Sequence, residues 1–229
     1  MTTTNASDDV ELHVELAGEG TPVVLTHGWL NSGDDWSGVV EGLRGSVRSA
    51  SWDLRGHGRS GAAGRGNYGR DALLDDLDRV VALAGGPPAV LVGHSLGGYL
   101  SLAYAITRPE RVSGLVLVAS GPGFRSDESR DQWNAAVLAM AAKVDIPDGQ
   151  EEVTVHVDAM VIDCLSEIGV PVVTVVGAND RRFLASADVF DRYLDVRERV
   201  VVPDAGHLVH VKHPDVVVAA VNTVLAATS

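Results

Sequence analysis

The segment Leu91–Gly98 constrains the fold of this chain most, because it joins an apolar strand, a serine between glycines and the start of a helix within a few residues. So short a turn forces Ser95 into a strained backbone conformation and leaves no room for side chains at Gly93 and Gly97. It also exposes the Ser95 hydroxyl at the carboxyl end of the strand, beside the free N–H groups of a helix N-terminus. The segment therefore predicts a nucleophile elbow, with a hydroxyl placed for covalent chemistry.

The sequence around this turn supports that interpretation. The pattern G-x-S-x-G alone can arise by chance in a chain with 25 glycines. Here, however, the continuous apolar run Ala89–Val92 precedes it, and Leu96–Thr107 follows with the small and apolar residues of a buried helix. Arg108 and Pro109 end that helix. Strand, serine turn and helix therefore come in the order that an elbow requires.

Apolar runs alternate with helical patterns along the rest of the chain. The predicted strands are Val10–Leu16, Pro22–Thr26, Val47–Trp52, Ala89–His94, Gly114–Ala119, Pro171–Gly177 and Arg199–Pro203. Most of the later ones are continuous apolar runs, which are typical of parallel strands covered on both faces, whereas the first alternates like an antiparallel edge strand. Apolar residues at helical spacing occupy 36–43, 73–84, 189–194 and 214–227. We therefore predict an α/β fold, a sandwich of a mostly parallel twisted sheet with helices on both faces and a site at the carboxyl ends of the strands.

One segment, 121–169, interrupts this alternation between two strands that a single helix is long enough to join. It contains helical patterns near 132–143 and 151–168. We expect residues 1–229 to form one domain, in which 121–169 is a short helical lid inserted over the carboxyl ends of the strands. The alternative is an enlarged crossover that packs on the sheet.

Composition argues against several classes of partner and site. The chain carries 45% hydrophobic and 21% charged residues, and its net charge of −13 repels phosphate backbones and anionic membranes. Cys164 is the only cysteine, which excludes an intrachain disulfide and Cys-rich metal sites. No apolar run approaches the roughly 20 residues of a membrane helix, and the first residues lack the pattern of a signal peptide. We expect a cytoplasmic protein that binds a small molecule rather than nucleic acid or membrane, with no pattern that defines an oligomeric state.

A serine nucleophile needs a base within hydrogen-bond reach, and the base needs a group that orients it. Among 8 histidines, His207 is the best candidate, because it lies in a loop directly after the last predicted strand. His210 lies beyond the apex of that loop, and His213 precedes Pro214, which suits the first turn of the terminal helix. The spacing of these three histidines would also fit a zinc site on a helix, but Gly206 and Pro214 favour a loop, so we expect no metal.

The orienting group is expected to be a carboxylate at another strand end. Asp180 follows the strand Pro171–Gly177 after a short turn, although an aspartate there can also serve only its own turn. Asp204 is closer to His207 in sequence, but this closeness does not by itself bring it to the Nδ1 side of the imidazole. The resulting chain order, Ser95, Asp180, His207, is the order expected for an elbow on such a sheet.

Two N–H groups aimed at one point are needed to stabilise a developing oxyanion. Leu96 directly follows Ser95 and supplies one of them. The second is expected from the loop after the second predicted strand, where we select Trp29. Gly28 lets the backbone approach closely, although a plain turn glycine is the alternative, and His27 is expected to brace the loop rather than act as a base.

Together these motifs resemble the ordered signatures of the α/β-hydrolase superfamily. They are H-G-W at 27–29, D-L-R-G-H-G-R-S at 53–60, G-H-S-L-G-G at 93–98, Asp180, and G-H at 206–207. The resemblance runs from about Val10 to Ala227 and is weakest in 121–169. It implies acyl transfer without a cofactor, with Ser95 as nucleophile, His207 as base and Asp180 as its partner, while the turn 53–60 is mostly structural.

The resemblance implies a serine hydrolase that cleaves a small carboxylic ester or lactone through an acyl-enzyme intermediate. Perhydrolase or haloperoxidase chemistry and C–C bond hydrolysis are alternatives on the same three residues. A non-catalytic ligand receptor or interaction protein that keeps the triad is the alternative of another class.

Candidate substrate-binding residues are less specific. Phe124, Trp133, Met140 and Met160 are candidates for an apolar pocket, although aromatic residues and methionines at helical spacing are more often core residues. The pair 181–182 consists of two arginines directly after Asp180. These arginines are placed to attract an anionic substrate, although paired arginines near a loop are usually solvated.

Overall fold

The computed structural model describes residues 2–5 and 10–228, and its centre is a twisted sheet of eight strands within those residues. The strands are β1 (Thr2–Asn5), β2 (Glu11–Ala17), β3 (Thr21–Thr26), β4 (Val47–Trp52), β5 (Ala89–His94), β6 (Val112–Val118), β7 (Pro171–Gly177) and β8 (Asp195–Val202). Their order across the sheet is β1-β2-β4-β3-β5-β6-β7-β8. β2 is antiparallel to β1 and β4, and all other neighbours pair in parallel.

Helices cover both faces of this sheet. They are α1 (Ser37–Leu43), α2 (Arg70–Leu83), α3 (Leu96–Thr107), α4 (Asp127–Ala141), α5 (Met160–Asp163), α6 (Arg181–Tyr193), α7 (Val209–Lys212) and α8 (Pro214–Ala227). In the described part of the chain, no helix has both the length and the apolar character needed to cross a membrane. The fold is therefore the predicted α/β sandwich with a mostly parallel sheet.

The continuous apolar strands are explained by two core layers, one on each face of the sheet. Along β5, Ala89 and Leu91 pack with α2 and α3, whereas Val90 and Val92 pack with α1 and α8. Because neighbouring residues of a strand point to opposite faces, a strand buried on both sides is expected to be largely apolar, as β5 is. The loops at the carboxyl ends of the strands, which carry the candidate site residues, are thus held by a hydrophobic core on each face of the sheet.

The two ends of the sheet differ from the prediction. The predicted strand Val10–Leu16 is antiparallel as expected, but its place at the edge is wrong, because β1 pairs outside it. The segment Thr2–Asn5 is polar, so it has no apolar pattern of the kind that predicted the other strands, although its threonines have a high strand propensity. At the other edge β8 begins at Asp195, earlier than the predicted start at Arg199. The first residues of β8 are largely exposed and charged, so they lack the apolar run from which strands were predicted.

The segment 121–169 is less helical than predicted. α4 covers the first helical pattern, but a continuous helix over 151–168 is wrong, since that stretch holds 3-10 turns and the short α5. The run Val153–Val155 consists of β-branched residues, which are weak helix formers, and this explains the break. Part of the segment joins the core through Val161 and Leu165, so it also has the character of a packed crossover.

The turn 53–60 anchors the loops beneath the strand ends. The buried Asp53 carboxylate accepts hydrogen bonds from the Gly33 N–H at 2.6 Å and the Arg59 N–H at 2.8 Å. Arg55 and Asp76, both buried, form a two-pronged ion pair at 2.6 and 2.8 Å. Such a pair with matched hydrogen bonds fixes geometry, in agreement with the structural role expected for this turn.

Candidate active site

Ser95 lies between β5 and α3 in the strained conformation that the sequence predicted. Its φ is 52° and its ψ is −112°, in a region that residues other than glycine rarely adopt. A side chain at Gly93 would overlap the backbone of Gly97, and one at Gly97 would overlap the carbonyl of Thr26. The tight turn therefore depends on both glycines, and it holds the Ser95 side chain at the carboxyl end of the central strands.

Asp180 and His207 meet at the same edge of the sheet. Asp180 follows β7 and is only 8% exposed, and His207 lies in the loop between β8 and α7. The distance from His207 Nδ1 to Asp180 Oδ2 is 2.7 Å. Because an ionised carboxylate only accepts hydrogen bonds, Nδ1 is the donor and Nε2 of the neutral ring keeps a free lone pair. The ring of Phe183 stacks on His207 at 5.0 Å between centroids, which further fixes the imidazole.

Ser95 and His207 line one cavity, so the structure brings together all three residues that the sequence singled out. Within the described residues there is no direct hydrogen bond between the Ser95 hydroxyl and the His207 ring. Catalytic hydrogen bonds of this kind often form fully only when the substrate closes on them. The structure thus places a serine hydroxyl, an imidazole and a carboxylate at one edge of the sheet.

The two N–H groups predicted to stabilise an oxyanion border the same cavity. Trp29 follows β3, Leu96 is the first residue of α3, and both residues line the cavity with Ser95. Neither N–H donates a hydrogen bond to another described residue. Two backbone donors without a partner, at the cavity that Ser95 lines, are the kind of groups that would stabilise an oxyanion there.

His27 braces the loop that carries Trp29, as expected from the sequence. Its Nε2 accepts a hydrogen bond from the Leu54 N–H at 2.9 Å, so Nδ1 is the protonated nitrogen and donates to the Gly28 carbonyl at 2.7 Å. Burial, and then the neighbouring His57, lower the pKa of His27 to about 3. The ring is therefore neutral across the physiological range and acts as a rigid spacer between the loop and the turn 53–60.

The cavity has a volume of about 550 Å³ and is lined mostly by aromatic and aliphatic side chains. Of the candidate pocket residues, Phe124, Trp133 and Met140 line it. Met160 is not part of its lining, because it begins α5, which packs on α3, and its side chain contacts the core instead. A volume of this size suits a small organic molecule.

A family model described as alpha/beta hydrolase fold matches residues 21–170 of the chain. The chain belongs to the alpha/beta hydrolase family. Among curated proteins, this hydrolase is similar to pimeloyl-[acyl-carrier protein] methyl ester esterases. The protein from Nitrosomonas europaea is 40% identical over 116 residues, which are 49% of this chain and 42% of that protein. The one from Chromobacterium violaceum is 37% identical over 138 residues, 59% of this chain and 52% of that protein.

The matches thus span about half the length of these curated relatives. Among solved structures, a thermophilic esterase from Thermogutta terrifontis superposes with a TM-score of 0.82 at 24% identity. That comparison covers 100% of this chain and 99% of the other. At this level of identity the likeness shows the shared fold.

The hydrolase cavity also contains His156, which the sequence analysis missed. Its ring lies edge-on to Tyr99 at 4.6 Å and to Phe124 at 5.3 Å, and its buried Nδ1 has no hydrogen-bond partner among the described residues. Burial, followed by the charges of Arg70 and Arg130, lowers the pKa of His156 to about 4. It is a neutral polar group in an aromatic wall, and no local pattern in the V-T-V-H-V stretch marks it.

Two further histidines, His94 and His210, pack close to His207. His94 donates from Nε2 to the His207 carbonyl at 3.1 Å, and its ring lies 4.2 Å from that of His210. His210 is fully buried against Trp36, and neither ring nitrogen has a partner among the described residues. It lies in α7, a helical turn in a segment predicted to be mostly loop, and His213 directly precedes α8, at the predicted start of the terminal helix, without a side-chain capping hydrogen bond. His207, His210 and His213 thus have three different environments.

Acid is expected to destabilise this hydrolase, because several histidines are buried in the neutral form. Burial, then His207, lowers the pKa of His210 to about 4, and burial holds the pKa of His94 well below 6.5. Between pH 6.5 and about 4 the unfolded chain binds protons that the folded chain does not, so stability falls as the pH falls through this range. Each such histidine contributes a slope of up to about 1.4 kcal/mol per pH unit.

The His210→Leu variant tests this prediction by urea unfolding at a series of pH values. Leucine removes the titrating ring without breaking a hydrogen bond, since neither nitrogen of His210 has a partner among the described residues. We expect the slope of unfolding free energy against pH, between 6.5 and 4, to decrease by up to the share of one histidine. Measurements at pH 8 are the control, because the ring is neutral in both states there. An unchanged slope in the variant would contradict the assignment.

Proposed function

We propose that this chain is a serine hydrolase that cleaves a small carboxylic ester or lactone through an acyl-enzyme intermediate. The observation that carries the proposal is the 2.7 Å contact between His207 Nδ1 and Asp180 Oδ2 at the cavity that contains Ser95. A carboxylate in this position selects the tautomer whose Nε2 accepts a proton from serine. The names of the curated relatives, which are methyl ester esterases, agree with cleavage of an ester.

The first half of the reaction forms the acyl-enzyme. The Ser95 Oγ attacks the carbonyl carbon of the ester while its proton passes to His207 Nε2, and the carbonyl oxygen becomes an oxyanion between the N–H groups of Trp29 and Leu96. When the tetrahedral intermediate collapses, the alkoxide leaves and takes the proton from His207. Each oriented oxyanion donor of this type is worth about 2.7–4 kcal/mol of barrier lowering.

In the second half, water replaces the alcohol. His207 takes a proton from water as the hydroxide attacks the acyl carbon, and the collapse returns that proton to Ser95 and releases the acid. The Asp180 carboxylate stabilises the imidazolium in both halves. No cofactor takes part in these steps, which need only acid–base chemistry and an oriented oxyanion site.

The cavity wall further supports a small, partly apolar substrate. Phe124, Trp133 and Met140, all from 121–169, line the cavity opposite the strand-end loops that carry the triad. We propose that this segment acts as a lid of the single domain and excludes water from the acyl-enzyme, while its core contacts anchor it.

Labelling with a fluorophosphonate and a substrate screen together test the proposed function. We expect the probe to add once, with the adduct mapped to Ser95 by peptide mass spectrometry, and we expect turnover of p-nitrophenyl acetate or of a lactone. Turnover that requires peroxide in acetate buffer would instead favour the perhydrolase alternative. No adduct and no turnover across esters, thioesters and lactones would reject catalysis and favour a ligand receptor.

A further inference from the structure

The lining of the cavity has a charge pattern opposite to that of the chain as a whole. The sequence has 31 acidic against 18 basic residues, yet no aspartate or glutamate is among the described residues that line the cavity. The lining does include an arginine, Arg182. A cavity lining without carboxylates, in a protein with so many acidic residues, is a local environment suited to an anion.

Arg182 is held at the cavity by an aromatic contact. Its guanidinium lies over the ring of Trp133, 5.3 Å from the centroid, and the Trp133 Nε1–H donates to the Thr154 carbonyl at 3.2 Å. A contact between a cation and a ring face is not a hydrogen bond to an acceptor, so it leaves the five N–H donors of the guanidinium without an acceptor from Trp133. The exposed Arg182 is therefore placed beside the cavity by its contact with Trp133, with a fork of donors that fits a carboxylate.

The donors of Arg182 are not satisfied by an internal ion pair. Among the described residues no carboxylate lies within ion-pair distance of it, whereas other arginines around the segment 121–169 are paired. Those pairs are Arg65 with Asp148, Arg70 with Asp158, Arg125 with Asp163 and Arg130 with Asp127. Arg182 thus differs from these four arginines in having an aromatic partner and, among the described residues, no counter-ion.

The stability of α6 does not explain this arginine either. Arg182 lies in the first turn of a 13-residue helix, where a positive charge opposes the helix dipole. Arg181 has the same charge in the same turn, but it is not part of the cavity lining. The two neighbours therefore form a matched pair, one facing the cavity and one outside it.

We propose that Arg182 binds a carboxylate of the substrate, so that the ester cleaved here carries a second, anionic group, as in the half-ester of a short dicarboxylic acid. This inference rests on the proposed function. The ester group lies at Ser95, and the free carboxylate receives two parallel hydrogen bonds from the edge of the Arg182 guanidinium. Arg182 is then a specificity-determining residue, since neutral esters use the same triad without this contact.

The test compares two substrates of the same shape that differ in charge, methyl hydrogen glutarate and the methyl ester of glutaramic acid. A second pair, 3-acetoxypropanoate and its amide, places the charge on the alcohol side. We expect a higher kcat/KM for the charged member of one pair. In Arg182→Gln that preference falls about tenfold, as the loss of a charge-assisted hydrogen bond predicts. The preference is the ratio of kcat/KM for the charged member to kcat/KM for the neutral member, so a general effect of the substitution on the cavity cancels, and Arg182→Lys restores part of this ratio.

Arg181→Gln is the matched control, because it removes one positive charge from the same turn. An equal loss of preference in both glutamine variants would show only the long-range field and would overturn the proposal, as would a wild-type enzyme that does not distinguish charged from neutral esters. If no ester at all is cleaved, the proposed function fails. Calorimetric binding of glutarate then decides about Arg182: binding that Arg182→Gln abolishes supports the anion site, and absence of binding overturns it.

Discussion

Ester hydrolysis is expected to fall by about 10⁴- to 10⁶-fold when Ser95 is replaced by alanine, which corresponds to roughly 5–8 kcal/mol of transition-state stabilisation. The hydroxyl is the only group of the triad that forms a bond to the acyl carbon, so nothing replaces it. The fold is expected to persist, because the turn depends on Gly93 and Gly97 and the backbone of residue 95 is equally strained with serine and with alanine. The measurement is kcat for a p-nitrophenyl ester together with the unfolding midpoint.

Ser186→Ala is the matched control for this variant. Ser186 also presents a side chain to the cavity, but it lies in the middle of α6 rather than at a strained turn. We expect it to retain activity within a few-fold of the wild type and to react with the fluorophosphonate. Residual activity of Ser95→Ala within tenfold of the wild type, in enzyme free of contaminating esterase, would contradict the role of Ser95.

The sequence was most informative where a local steric rule leaves one solution. A strand, a serine and a helix joined within a few residues require glycine at 93 and 97, and the structure has the same turn with a positive φ at Ser95. The strand ends were predictable for a related reason, since most of the parallel strands are buried on both faces and form near-continuous apolar runs. Once the strands were placed, Asp180 and His207 followed as polar residues at the same edge of the sheet.

The parts that the sequence did not reveal depend on contacts between distant segments. β1 is polar and takes its conformation from pairing with β2, so no apolar pattern within it predicts a strand. The roles of His156 and His210 depend on which rings surround them, and those rings come from other loops and helices. Met160 is a residue that the sequence wrongly assigned to the cavity. Its spacing along the chain did not distinguish a side chain that lines the cavity from one that packs towards α3.

Replacing Asp180 by asparagine is expected to lower kcat by about 10⁴-fold while the shape of the site is kept. An asparagine amide that donates to His207 Nδ1 moves the ring proton to Nε2, so the imidazole no longer accepts the proton of Ser95. The loss of the buried negative charge also removes the stabilisation of the imidazolium that forms in both halves of the reaction. The change of tautomer is measured from the ¹⁵N chemical shifts of the His207 ring, and the loss of rate from turnover of the same ester.

Asp204→Asn distinguishes this role from a general effect of charge. Asp204 is close to His207 in sequence and exposed, and its φ of 58° suits asparagine as well as aspartate. It has no hydrogen bond to the His207 ring, whereas Asp180 contacts Nδ1 at 2.7 Å. We therefore expect Asp204→Asn to leave kcat and the His207 ¹⁵N shifts nearly unchanged. If the two asparagine variants lost activity equally, the carboxylate at 180 would contribute only to the overall field, and the ordered triad would have to be abandoned.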